Sequence, residues 1–285
     1  MRFDTPLRYP GGKGRLSSFL KLVLEKNDLA GGHYVEPYAG GAGLALNLLF
    51  HGHASCIHIN DINRPLYAFW HSVLHATEEL CRNIRDVGVT MEEWHRQKAV
   101  QSAPDNHGLL ELGFSTFFLN RTNRSGIISA GAIGGKKQDG AWKLDVRFNK
   151  EALCRRIEKI AQHAAHICLY NLDAAEMIRS VIPALPEKKL VYLDPPYYIK
   201  GQGLYEHYYR YEDHVRIAGL VREMHSDHWI VSYDNAQAIR QLYGQYRQML
   251  YRLSYTAQEK YAGSELMVFS HRLALPDMNS PLMAR

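Results

Sequence analysis

A chain of 285 residues, 46% hydrophobic and 22% charged, is long enough for one large domain or two and excludes a miniature disulfide scaffold. No stretch approaches the roughly 20 apolar residues of a membrane span, and the opening MRFDTPLRYPGGKG has no apolar core of an export signal, so a cytoplasmic protein is expected. The formal net charge is +5, which is uninformative until its distribution is considered.

In chain order, Tyr9-Pro10-Gly11-Gly12-Lys13 reads as a turn carrying an aromatic ring and a cation. His33 to Glu36 predicts a short strand, Gly40 to Gly43 a glycine turn, and Leu44 to Phe50 a helix. Cys56 to Asn60 predicts a second strand ending at Asp61. Helical patterns follow around Leu66 to Leu80 and Leu109 to Asn120, and Gly126 to Gly140 reads as hairpin or loop. Further strands are expected at His166 to Asn171, Leu190 to Leu193 and Trp229 to Tyr233, with a helix over Asn235 to Tyr243. Two β-like runs, Tyr246 to Ala257 and Glu265 to Arg272, suggest an antiparallel pair, and the tail from Pro276 should fray. Strands alternating with helices predict an α/β fold with parallel crossovers. The change of rhythm between Pro65 and Ala164 marks an inserted module. Domain boundaries are therefore drawn at 1–64 and 165–285 for the main domain and 65–164 for the insert.

Charge is concentrated in that insert. Between Arg121 and Lys159 stand ten Lys or Arg against four acids, as expected of a footprint on a polyanion or, equally, of a solvated face. The four cysteines, Cys56, Cys81, Cys154 and Cys168, form no C-x-x-C pair, which argues for reduced thiols and against zinc. His51-x-His53 lacks a nearby acid or Cys at ligand spacing, so no metal is expected.

Three motifs carry chemistry. Asp194-Pro195-Pro196-Tyr197 follows the apolar strand LVYL directly. An exocyclic amine is a weak nucleophile because its lone pair is delocalised into the ring. The Asp194 carboxylate and the Pro195 carbonyl can each accept one N–H, drawing that pair back onto nitrogen and stabilising the charge that develops. Pro195 and Pro196 stiffen the turn, and Tyr197 offers a face for stacking a base. The second motif, Glu36-Pro37-Tyr38-Ala39-Gly40-Gly41-Ala42-Gly43, places an acid before the glycines, unlike a phosphate-binding turn. Asp61 lies 18 positions after Gly43, near the roughly 20-residue offset at which acids hold ribose hydroxyls. Together Glu36 and Asp61 imply a cationic nucleoside, for which S-adenosylmethionine is the obvious candidate. The third motif is the Tyr-Pro-Gly-Gly-Lys turn, whose Gly12 hinge would let Lys13 reach a carboxylate on that ligand.

The set RYPGGKG, YVEPYAGGAGLAL, INDIN, FFLNRTNRSG and LVYLDPPY, in this order, resembles the Dam-like, alpha-group N6-adenine DNA methyltransferases along nearly the whole chain. The resemblance implies a Rossmann-like, seven-stranded, S-adenosylmethionine-dependent methyltransferase sheet. It also implies an inserted, largely helical target-recognition module containing a β-hairpin. Methyl transfer would go to N6 of a flipped adenine in double-stranded DNA. Carried over by motif, Tyr9, Lys13, Asp61 and Asp194 would contact the cofactor, with Glu36, Gly40 and Gly43 lining its pocket. Asp173 would meet the cofactor's adenine amine or simply cap a helix. Tyr9 departs from close relatives, which carry Trp there. Asn120, Arg121, Arg124, Lys136 and Lys137 are assigned to DNA, the lysines to phosphates. The tyrosines at 205, 208, 209 and 211 are read as part of a loop near the flipped base. An N4-cytosine methyltransferase, a catalytically silent DNA-binding relative and RNA or protein amines as substrates stay open, as do a cognate restriction nuclease as partner and the oligomeric state.

Overall fold

The strands that the apolar runs predict form the centre of a mixed sheet. A computed structural model describes residues 4–8, 16–199, 209–254 and 262–276. Its first elements are α1 (Ser17–Lys26), β1 (Gly32–Glu36), α2 (Gly43–Phe50) and β2 (Ala54–Asn60). A helical stretch follows, with α3 (Arg64–His75), α4 (Thr77–Asp86), α5 (Met91–Ser102), α6 (Leu109–Thr122) and α7 (Lys150–Ala161). Then come β3 (Ile167–Tyr170), the one-turn α8 (Ala174–Glu176), β4 (Lys189–Leu193), α9 (Tyr211–Glu223), β5 (His228–Asp234), α10 (Gln237–Leu242), β6 (Arg247–Ser254) and β7 (Ala262–Phe269).

The sheet order is β3-β2-β1-β4-β5-β7-β6. β1 pairs in parallel with β2 and β4, and β4 with β5, whereas β7 runs antiparallel to both β5 and β6. This is the seven-stranded α/β architecture expected of an S-adenosylmethionine-dependent methyltransferase. β4 is buried along its whole length, as a parallel strand covered on both faces must be. Sequence order reverses between β1 and β4, so the carboxyl ends of these strands open the crevice where doubly wound sheets bind ligands. Glu36 and Asp194 stand at those two ends.

The chain divides into two compact units. One comprises the described residues of Lys13–Ile62 and Leu172–Arg285; the other joins residues 4–8 to Asn63–Asn171. The second unit is helical. Asn63 caps α3 by accepting from the Leu66 amide at 3.0 Å, with Pro65 in the first turn. The expected helix over Leu66 to Leu80 breaks at Ala76 (φ −141°, ψ 43°), and the Thr77 hydroxyl closes the last turn of α3 on the Val73 carbonyl at 2.8 Å. A Cβ on Gly113 would lie 2.5 Å from the Ala68 carbonyl oxygen, so glycine permits the close approach of α3 and α6. Stacked Phe69 and Phe117 (6.0 Å between centroids) and Phe148 against Phe117 and Phe118 fill the interior.

The hairpin implied for Gly126 to Gly140 is not formed. Between α6 and α7 the backbone makes a single antiparallel bridge, Asn123 to Ala132. Gly126, Gly134 and Gly135 all adopt positive φ, a conformation that breaks a ladder. The Gln138 side chain takes over instead, donating to the carbonyls of Ile133 and Gly135 (2.7 Å each) and accepting from the Leu144 amide (2.8 Å). No helix among the described residues is long and apolar enough to cross a membrane. The expected fraying from residue 277 onward, and the expected roles of Tyr9, Gly12, Lys13, Tyr205 and Tyr208, lie outside the described residues.

Candidate active site and nucleic-acid interface

At the end of β1, Glu36 is buried and its Oε1 accepts from the Tyr34 hydroxyl at 2.9 Å. The chain then enters the glycine turn, where Gly40 (φ 48°) and Ala42 (φ 46°) are left-handed, before α2 begins at Gly43. Asn60, the last residue of β2, and Asp61 after it hold this turn. Asp61 Oδ2 accepts from the Gly40 amide at 3.1 Å, and Asn60 donates to the Pro37 carbonyl at 2.9 Å. Asn60 also exchanges two hydrogen bonds with the backbone of Leu172, at 3.0 and 2.9 Å. This buried asparagine thus ties the glycine turn to the segment before α8, a role the sequence did not suggest. Asp61 is accordingly a brace of the turn. Asp173 shows cap geometry, accepting from the Ala175 amide at 2.9 Å with Arg216 3.5 Å away.

The Asp194-Pro195-Pro196-Tyr197 turn is fixed from three sides. The Tyr192 hydroxyl donates to Ser232 Oγ at 3.0 Å, and Ser232 donates to Asp194 Oδ1 at 2.8 Å. This relay sets the orientation of the carboxylate and leaves it an acceptor. The amides of Tyr198 and Ile199 both donate to Asp234, at 2.9 and 2.7 Å. The Tyr197 hydroxyl reaches Glu265 Oε1 at 2.7 Å, and Tyr251 donates to the other oxygen of the same carboxylate. Burial, then Asp194 and Glu265, push the Tyr197 pKa far up. Burial first, then Tyr192 and Glu265, do the same to Tyr251. Both phenols therefore stay protonated, as donors must. Tyr34 is likewise raised by burial and then by Glu36, with Tyr192 and Asp194 contributing, so the carboxylates at both strand ends act on one buried phenol.

Ser232, Asp234 and Glu265 escaped sequence reasoning because they come from β5 and β7, distant in the chain. The available signal was HWIVSYD, an apolar strand that spends two alternate positions on polar residues. Tyr38 and Tyr209 meet through their hydroxyls at 3.0 Å with rings in edge contact at 6.1 Å, placing one tyrosine of the aromatic run beside the glycine turn.

In the helical unit, the residues assigned to DNA separate into two groups. Asn120 is 2% exposed and spends its amide on backbone: it accepts from Arg8 N at 2.7 Å and donates to the carbonyls of Arg8 (2.7 Å) and Gly126 (2.8 Å). This corrects the expected DNA contact, since a side chain so committed holds the loop rather than a nucleotide. Asn123, fully buried, works beside it, donating to Ile127 and Ile128 and accepting from Trp94 Nε1 at 2.7 Å. Gly126 is required at φ 78°, where a Cβ would lie 2.3 Å from the Arg8 carbonyl oxygen. Arg121 also turns inward, donating to the carbonyls of Arg147 and Pro6. Burial, followed by Arg8, Arg156 and Arg147, pushes its pKa down to about 9. Direct base reading by Arg121 is therefore not the geometry seen; it contributes positive potential.

Arg124, Lys136 and Lys137 are exposed. Near them in sequence is Trp142, 66% exposed, an aromatic that the sequence reading passed over. Part of the basic run is structural: Lys150 donates to the carbonyls of Arg85 and Val87 (2.6 Å each), Arg156 to that of Thr5, and Lys159 pairs with Asp4 at 3.6 Å. The charge surplus therefore overstates the surface available to a polyanion.

A doubly wound sheet with an acid before a glycine turn, and a braced Asp-Pro-Pro-Tyr turn at the neighbouring strand end, defines an amino-methyltransferase. Residues 9–257 match the model of the D12 class N6 adenine-specific DNA methyltransferases, and the chain belongs to this family. It is also similar, at 22% identity over 236 residues covering 76% of this chain and 79% of the relative, to the Type II methyltransferase M.MjaIII of Methanocaldococcus jannaschii. The chain is thus an adenine-specific DNA methyltransferase.

Proposed function

We propose that the protein transfers a methyl group from S-adenosylmethionine to N6 of an adenine flipped out of double-stranded DNA. The observation that carries this reading is the Tyr192–Ser232–Asp194 relay at the end of β4, which aims a carboxylate within a turn that Asp234 and Glu265 lock. Asp194 and the Pro195 carbonyl accept the two N–H groups of the target amine, so its lone pair points away from the ring as the bond to carbon forms. Tyr197 and Pro196 give this turn its shape and the base a surface to lie against.

The donor set fits a cationic nucleoside. The buried Glu36 carboxylate, oriented by the Tyr34 hydroxyl, is a group suited to the sulfonium or ammonium of such a ligand and unsuited to a pyrophosphate. Tyr9, Gly12, Lys13, Glu36, Gly40, Gly43, Asp61, Asp173 and Asp194 are the residues we assign to holding S-adenosylmethionine, whose role is to supply an electrophilic methyl group. Binding both reactants at adjoining strand ends supplies proximity.

The segment 65–164 we assign to DNA recognition. Arg8, Arg156 and Arg147 lower the Arg121 pKa by their charge after burial does, a positive cluster that phosphates would neutralise, and Arg124, Lys136 and Lys137 extend the basic surface. Replacing Lys136 and Lys137 together by alanine is expected to reduce the slope of log affinity against log salt by about 2. An unchanged slope would move the footprint elsewhere. The reaction itself is tested by incubating the protein with DNA and S-adenosylmethionine and hydrolysing the product to nucleosides. N6-methyladenine is expected, and N4-methylcytosine or no methylated nucleoside would overturn the reading.

A further inference from the structure

Pairing of β1 with β2 sets three metal-ligating side chains side by side, although nothing in their sequence spacing suggests it. His33 stands opposite Cys56 in the parallel register, and Val35 stands opposite His58, so His33, Cys56 and His58 share one face of the two strands. The atoms converge. His33 Nδ1 lies 2.9 Å from His58 Nε2, and Cys56 Sγ lies 3.7 Å from the same nitrogen. The two imidazoles are stacked at 5.1 Å, and the three ligand atoms all fall within 4.8 Å of one another.

We propose that His33, Cys56 and His58 form a binding site for a divalent zinc-type cation, distinct from the methyl-transfer site. Zinc takes nitrogen at about 2.0–2.1 Å and thiolate at about 2.3 Å. At tetrahedral angles these lengths separate two nitrogens by ~3.3 Å and nitrogen from sulfur by ~3.6 Å. The observed separations of 2.9 and 3.7 Å need shifts of only a few tenths of an ångström, and His33 Nδ1 and Cys56 Sγ, within 4.8 Å of each other, must close toward ~3.6 Å as the metal binds. Two imidazoles and a thiol form a borderline-soft donor set, suited to zinc and unsuited to magnesium or calcium. With three protein ligands, a water molecule completes the coordination.

His58 is buried while His33 and Cys56 are partly exposed, giving the ion an approach from solvent and one ligand fixed in the core. Cys56 loses its thiol proton to solvent as the metal–sulfur bond forms. His33 precedes Glu36 by three residues, about 10 Å along the strand, so the ion sits toward the opposite end of β1 from the methyl-transfer residues. Its role is to cross-link β1 and β2 beneath the glycine turn.

The test uses the full chain stripped with a chelator and titrated with zinc against a chromophoric competitor, and in parallel with cobalt. The wild type is expected to bind one zinc ion, to show thiolate-to-cobalt charge-transfer absorption in the near ultraviolet, and to melt at a higher temperature with zinc present. Cys56→Ser should abolish the cobalt band, and both Cys56→Ser and His33→Gln should weaken zinc binding by roughly tenfold or more. These two positions are partly exposed, so both variants should fold. A wild type without the cobalt band, or zinc binding undiminished in both variants, would overturn the site. Every readout is independent of methyl transfer, so failure here leaves the proposed reaction untouched.

Discussion

Replacing Asp194 by alanine is expected to lower kcat for adenine methylation by about a thousandfold or more, a loss comparable to removing a preorganised charge-stabilising group from an active site. The reason lies in the timing of the charge. Adenine's amino nitrogen carries little positive charge in the ground state and gains it only as the new bond forms, so an anionic acceptor contributes mainly in the transition state. The effect should therefore fall on kcat more than on KM for DNA. Asp194→Asn keeps an acceptor oxygen without the charge and should lie between the two. Ser232 donates to Asp194 Oδ1 at 2.8 Å and is a positioning residue. Ser232→Ala should cost about tenfold in kcat, the worth of one hydrogen bond to a charged group, with little change in KM. Asp194→Ala acting at the wild-type rate would remove this residue from the chemistry.

Asn120→Ala is expected to destabilise the protein by about 2–4 kcal/mol, read as a lower midpoint in urea denaturation in the absence of DNA. Three backbone groups, Arg8 N, Arg8 O and Gly126 O, would lose their partner in a setting where the side chain is 2% exposed, and each buried orphan costs about 1–3 kcal/mol. A variant with undiminished stability and selectively weakened DNA binding would reinstate Asn120 as a DNA contact and contradict the structural role.

These two residues show what a sequence exposes and what it conceals. Asp194 is legible because its chemistry is local: four consecutive residues directly after an apolar strand carry the acid, the two stiffening prolines and the aromatic face. The strands themselves, the glycine turn after Glu36 and the antiparallel pair formed by β6 and β7 are legible for the same reason. Asn120 is misleading because its partner, Arg8, lies 112 positions away, and an asparagine beside arginines looks like a nucleic-acid contact until its amide is found committed. Part of the basic run deceives similarly, since α7 buries Leu153, Cys154, Ile157 and Ile160 on one face while Lys150, Arg156 and Lys159 bond within the unit. Ser232, Asp234 and Glu265, which brace the Asp194-Pro195-Pro196-Tyr197 turn, depend on strand pairing that no local pattern encodes. His33, Cys56 and His58 converge for the same reason, which is why spacing rules written for continuous motifs miss them.

The proposed reaction rests on a locked turn presenting two oxygen acceptors to an extruded base, and a crystal structure of the protein with duplex DNA and a non-reactive analogue of S-adenosylmethionine examines it directly. The expected complex has the adenine N6 within hydrogen-bonding distance of both Asp194 and the Pro195 carbonyl, with the donor's sulfur centre on the far side of the transferred carbon. An adenine left stacked in the duplex, or extruded with its amine directed away from Asp194, would contradict it.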